Sequence, residues 1–208
     1  MEISKLLYCS EVFDSDEYPF ESMLPYTHSG SLYEDVQNPP HGSGCIRFPN
    51  GETFFGTVLN GNLQHGLMMF PGKGTYFGSF SNGMRNGIGW YSTDSMQYFG
   101  TFFNDDMEGH GFLVTPNGTY DGDFIKNCKH GHGKIIFADG NFLASDFEND
   151  QKHGSAQIVT TSGDIYEFTF DHDEIVGDVT KTNIETERGV ICDAKEVTQL
   201  ETLIMCHI

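Results

Sequence analysis

Apolar and polar positions alternate along this chain in short, evenly spaced bursts. Tyr76-Phe77-Gly78-Ser79-Phe80, Tyr98-Phe99-Gly100-Thr101-Phe102 and Tyr120-Asp121-Gly122-Asp123-Phe124 share the form aromatic-x-Gly-x-Phe, each 22 residues after the last. Phe54-Phe55-Gly56-Thr57-Val58 sits one period upstream, and Leu143 to Phe147 and Tyr166 to Phe170 keep step downstream without the glycine. A polar turn follows each burst, then a second signature: His65-Gly66, Asn86-Gly87-Ile88-Gly89, Glu108-Gly109-His110-Gly111, His130-Gly131-His132-Gly133 and His153-Gly154. Short apolar runs such as Ile135-Ile136-Phe137 close each unit. A degenerate copy occupies Leu32 to Phe48, making five clear repeats and two frayed ones.

Five alternating residues, a turn rich in Asn, Asp and Gly and a second apolar run predict a β-hairpin, and the glycine density excludes helix. No such hairpin is stable alone, so neighbours must pair. At two strands per repeat and roughly 4.8 Å per strand, six repeats predict a ribbon about 60 Å long. The fold class is therefore all-β, an extended single-layer antiparallel sheet forming a twisted trough. Side chains alternate faces in a strand, so Tyr76, Gly78 and Phe80 share one face and Phe77 the other. Glycine between two aromatics leaves room for rings to lean over the backbone.

These residues resemble the MORN family, whose repeat reads roughly Tyr-Glu-Gly-Glu-Phe/Trp, a polar turn, then His/Asn-Gly-x-Gly. The resemblance covers about residues 31 to 180. It implies tandem hairpins, a groove lined by the repeat aromatics and a C-terminal capping helix. It also implies adaptor roles in cytoskeletal, ciliary or membrane-contact assemblies, or accessory modules of lysine methyltransferases and phosphatidylinositol phosphate kinases. Neither catalytic domain is visible. The sequence departs from the family where the usual acid at the second position is Phe55, Phe77 and Phe99, an apolar ladder on the face opposite the trough. Something must cover that ladder: the chain's own termini, a second copy, or a partner.

Composition adjusts this picture. The chain has 25 Gly, 18 Phe and 9 Tyr in 208 residues, and a formal charge of −19 from 30 acids and 11 Lys or Arg. So acidic a protein is a poor match for nucleic acid or anionic membrane, since both need basic patches. Five dispersed cysteines form no C-x-x-C pair, which suggests a reducing compartment. A cytoplasmic place, with possible cytoskeletal association, follows, and the nucleus stays open. Three segments are expected: an acidic N-terminal arm (1–30), the repeat sheet (31–180) and a C-terminal segment (181–208). The arm carries apolar anchors including Phe13, Phe20 and Leu24 among its acids, and whether its first ten or so residues are ordered is left open. In the last segment Asp193 and Glu196 have capping-box spacing ahead of Val197, Leu200, Leu203 and Ile204.

Candidate chemistry is sparse. His65, His130 and His153 share one repeat position, joined by His41, His110 and His132. An array spreads successive copies about 10 Å apart, too far for metal–nitrogen bonds of about 2 Å, so no metal is expected. Asp105-Asp106 and Asp171-His172-Asp173-Glu174 fall in turns, where solvated acids are ordinary. Gly131-His132-Gly133 and Gly87-Ile88-Gly89 lack the following helix of a phosphate loop. No catalytic residue and no cofactor are expected. Partner binding falls to the trough column of Tyr76, Phe80, Tyr98, Phe102, Tyr120 and Phe124, and to Phe55, Phe77 and Phe99. The expected ligand is an amphipathic, basic helix or an extended segment of another protein. The alternatives are self-assembly as a homodimer or larger structure, and service as an accessory subunit to an enzyme on another chain.

Overall fold

The computed structural model describes residues 27–28, 41–183 and 189–205. Apart from Thr27 and His28 the N-terminal arm lies outside them, and with it the order of its first residues. The described residues form one sheet whose strand order follows chain order throughout. The strands are β1 (Thr27–His28), β2 (Gly42–Arg47), β3 (Thr53–Leu59), β4 (Asn62–Phe70), β5 (Gly74–Ser81), β6 (Met84–Ser92), β7 (Gln97–Phe103) and β8 (Asp106–Thr115). There follow β9 (Gly118–Ile125), β10 (Cys128–Phe137), β11 (Phe142–Glu148), β12 (Gln151–Val159), β13 (Asp164–Asp171), β14 (Glu174–Asn183), β15 (Gly189–Ile191) and one helix, α1 (Ala194–Met205). The pairing of β1 with β2 is parallel, and every later neighbour pair is antiparallel.

The polar turns are two-residue hairpin loops with both central residues at positive φ, as in Asn82 (51°) with Gly83 (80°), Asn104 (50°) with Asp105 (72°) and Asn149 (51°) with Asp150 (70°). That geometry matches the twist of two paired strands and favours Asn, Asp and Gly. The two glycines of the second signature then do different things. Gly87 takes φ +84° where the β5–β6 register shifts between Gly78 and Phe80, so it makes a bulge. Gly89 returns the strand to register, directly opposite Gly78.

That alignment repeats. Gly44, Gly56, Gly66, Gly78, Gly89, Gly100, Gly111, Gly122 and Gly133 are consecutive cross-strand partners from β2 to β10. A Cβ on Gly100 or Gly111 would stand 2.4 or 2.5 Å from the Tyr98 hydroxyl, so the ring lies in the space the missing side chains leave. Over this glycine ladder eight rings form one chain of edge-to-face contacts: Phe54, Phe80, Tyr76, Phe102, Tyr98, Phe124, Tyr120 and Phe147. Their centroids are 5.1 to 5.5 Å apart. Each such pair contributes about 0.5–1.5 kcal/mol beyond its area. A single sheet thereby makes its own core on one face.

From β10 onward the ladder continues as Ser145 and Ala156, and a second core takes over, built on Leu143, Ile158, Phe168, Phe170 and Val179. Leu200 and Ile204 of α1 are buried in it. The helix starts with the reciprocal cap the sequence predicts: the Glu196 amide donates to Asp193 Oδ1 (2.9 Å) and the Asp193 amide to Glu196 Oε2 (3.1 Å). The helix therefore covers the sheet where the glycine ladder has ended.

Candidate binding surfaces

The trough column lies where alternation puts it, but it is not open. Tyr76, Phe80, Tyr98, Phe102, Tyr120 and Phe124 are all at most 7 % exposed. Their shared face is reached instead through side chains of the intervening strands. Met68, Tyr76, Tyr91, Tyr98, Leu113, Tyr120, Ile135 and Leu143 form one cross-strand row, in which Tyr91, Leu113 and Ile135 are only partly buried. Ile135 belongs to a second-strand apolar run legible in the sequence, but the looser pattern of that strand does not mark Tyr91 or Leu113.

The phenols are locked as well. Tyr76, Tyr98 and Tyr120 donate to the carbonyls of Ser79, Thr101 and Asp123 at 3.0 to 3.1 Å. Burial pushes Tyr76 and Tyr98 up to about 12 and raises Tyr120 too, helped at Tyr98 by Glu108 and at Tyr120 by Asp123. Since the folded values exceed the unfolded value near 10, this stability is complete below pH ~10 and falls as pH rises toward 12. In an alkaline titration followed by phenolate absorbance and circular dichroism, these three of the nine tyrosines should ionise only as the sheet melts. Ionisation of all nine near pH 10 with ellipticity intact would contradict the arrangement.

Along the turn edge, each repeat is bracketed to the one before. The amides of Arg85, Met107, Lys129 and Lys152 donate to the side chains of Asp105, Asn127, Asp150 and Asp173 at 2.8 to 3.0 Å. The amides of those four turn residues donate back to the carbonyls of the same four partners at 2.9 to 3.1 Å. Arg85, Lys129 and Lys152 also lie over the rings of Phe102, Tyr120 and Phe170. Cationic heads thus close the edge of the aromatic face.

On the other face, Phe55, Phe77 and Phe99 belong to a longer row. Cross-strand pairing interleaves them with second-strand residues: Cys45, Phe55, Leu67, Phe77, Trp90, Phe99 and Phe112 are successive partners from β2 to β8. Phe99 and Phe112 are 37 % and 42 % exposed, and the others partly so. The row then turns polar at once, continuing as Asp121, Lys134, Ala144, Gln157 and Glu167.

Compared with known proteins, the chain matches the MORN repeat family over residues 36–53, 76–95, 98–119 and 120–142. The chain contains four MORN repeats. Comparison with the curated proteins returns no match. Residues 54–75 fall between two of the matched segments, yet β3 and β4 keep the ladder register of the MORN repeats around them.

The histidines of the repeats pair across strands. His65 Nδ1 lies 3.2 Å from Ser79 Oγ, His110 Nε2 lies 3.1 Å from Asp121, and His132 pairs with Asp146. His153, Asp171 and His172 place their ligand atoms within 4.8 Å of one another, a closer gathering than repeat spacing alone allows, because His172 comes from the β13–β14 turn. There His172 already bonds Asp171 at 2.5 Å, and both side chains are about 60 % exposed. Among the described residues no helix is long and apolar enough to cross a membrane.

Proposed function

We propose that this MORN-repeat protein is a non-enzymatic adaptor that holds an amphipathic, basic segment of a partner protein, helical or extended, on its aromatic face. MORN repeats are generally non-catalytic, and a protein-binding role is what they suggest. The observation that carries the reading is the partly open row of Tyr91, Leu113 and Ile135 above a floor of interlocked rings. A floor fixed by edge-to-face packing is already organised, so a partner orders only itself.

Charge supports a basic ligand. Residues 104–183 contain 5 Lys and 15 Asp or Glu, a balance of −10, whereas residues 42–103 have 3 Lys or Arg against 2 acids. Glu108 and Asp150 add acids on the turn edge, where their carboxylates accept from the amides of Lys126 and Lys129. A basic segment would be steered to that half.

Affinity purification with mass spectrometry, run on the wild-type chain and on Tyr91→Ala/Leu113→Asp, tests this. The variant should lose the partners the wild type retains while its far-ultraviolet circular dichroism is unchanged. Recovery of the same partners by the folded variant would refute the aromatic-face site.

A further inference from the structure

Successive copies of a repeat stand about 10 Å apart, too far to share one ion, but the β13–β14 turn brings two histidines and an acid together across neighbouring strands. We propose that His153, Asp171 and His172 bind one divalent transition-metal ion of the zinc class, with water completing its coordination.

Geometry is the first argument. Among the described residues these three are the one group of His, Cys, Asp or Glu whose ligand atoms all lie within 4.8 Å of one another. His153 Nδ1 is 3.7 Å and His172 Nδ1 2.5 Å from Asp171 Oδ1, and the two imidazole centroids are 5.3 Å apart. Metal bonds of about 2.0–2.1 Å at tetrahedral angles hold their ligand atoms about 3.3 Å from one another. The two distances to Asp171 bracket that value. Reaching it needs only side-chain rotation, which the exposure of Asp171 and His172 leaves free.

An unpaired atom is the second argument. Nδ1 of His153 is buried, although its ring is partly exposed, and it has no hydrogen-bond partner among the described residues. Buried polar atoms are rarely left so, because the loss of water is then uncompensated. Asp171 stands just beyond hydrogen-bonding reach, and an ion between the two would give this nitrogen the partner it lacks.

The third argument is how this repeat departs from the others. His172 opens a hairpin turn at φ +50°, a place held elsewhere by Asn60, Asn82, Asn104, Lys126 and Asn149. Asn suits that backbone well, so the turn itself does not call for an imidazole. The place of Asp171 is taken by Ser81, Phe103, Ile125 and Glu148, and that of His153 by Asn86, Glu108 and His130. Only here do both imidazoles and the carboxylate coincide. Asp173, the second turn residue, is engaged by the Lys152 ammonium and leaves the ion to Asp171.

The ligand types select the ion. Two imidazoles and one carboxylate suit zinc, copper or nickel, whereas calcium requires about six to eight oxygens. The bound ion would tie β12 to the turn that ends β13, on the face away from Phe168 and Phe170.

Titration calorimetry of zinc chloride into the full-length chain tests this, because each ligand can be exchanged for a residue that another repeat already uses at the same place. His153→Asn, Asp171→Ser and His172→Asn should each weaken zinc binding about tenfold or more, since even the outer partners of a metal site cost that much. Circular dichroism should be unchanged in all three. His130→Asn, one repeat earlier, should leave the affinity as it is, and excess calcium should not compete. Equal zinc affinity in the wild type and in His153→Asn/His172→Asn overturns the proposal, as does a wild type that binds no zinc. So does a site lost equally through His130→Asn, which would mark diffuse capture by surface histidines.

Discussion

Tyr98→Ala is expected to destabilise the sheet by about 3–5 kcal/mol, the range for deleting a large buried ring. In a chain of this size that lowers the melting temperature by about 6–20 °C. Tyr98 has no exposed surface, touches Phe102 and Phe124 edge-to-face and fills the space above Gly100 and Gly111. The same packing makes Gly111→Ala costly by about 1–3 kcal/mol, because the new Cβ meets the ring 2.5 Å away. The two effects should couple. In the fifth repeat Leu143 replaces the aromatic, and the ladder positions beside it are Ser145 and Ala156 rather than glycines. Gly111→Ala should therefore cost much less in a Tyr98→Leu background than in the wild type. A denaturant double-mutant cycle measures this, and additivity of the two substitutions would break the link between ring and glycine.

Asp173→Ala should be the second large effect, at about 3 kcal/mol, the lower end for breaking a buried ion pair, because water reaches the Asp173 side. Lys152 is 4 % exposed, its ammonium lies 2.6 Å from Asp173 Oδ1 and its amide donates to the same oxygen. Removing the carboxylate leaves that ammonium buried above the Phe170 ring with no counter-charge. Lys152→Met, by contrast, should be close to neutral, since it replaces the charge with apolar volume. Burial raises the Asp173 carboxyl, but the Lys152 ammonium and amide outweigh it and hold it below its ordinary value. That contribution is therefore present above the unfolded value near 3.9 and is lost as pH falls through the lower folded one. Urea melts at pH 7 and pH 3 should show the wild-type advantage over Asp173→Ala shrinking at the lower pH. An advantage that is equal at both would remove the ion pair as its source.

Much of the architecture is legible in the residues themselves. The 22-residue spacing of the aromatic-Gly-aromatic bursts predicts the hairpins, the alternation within each burst assigns Tyr76 and Phe77 to opposite faces, and Asp193 with Glu196 predicts the capped helix. Each depends on local rules: strand parity, turn conformation and capping geometry. The candidate site was less legible. Phe55, Phe77 and Phe99 stand out because they replace a repeat acid, but Leu67, Trp90 and Phe112 belong to a variable second strand and carry no such signal. Tyr91 and Leu113 are hidden for the same reason, and Ile135 shows only as part of an apolar run.

What the sequence alone determined is which residues share a face within one strand, because parity is a property of the backbone and needs no neighbour. What only the tertiary structure decided is which residues stand side by side across strands. That depends on the bulges at Gly87, Gly109, Gly131 and Gly154, each of which shifts one strand of a hairpin and brings the next glycine, or Ala156 in the last case, back into the ladder. Once the strands are in register, the missing Cβ atoms give the tyrosines a place to lie flat, and the rings become core. The surface open to a partner then shifts to the strands between them.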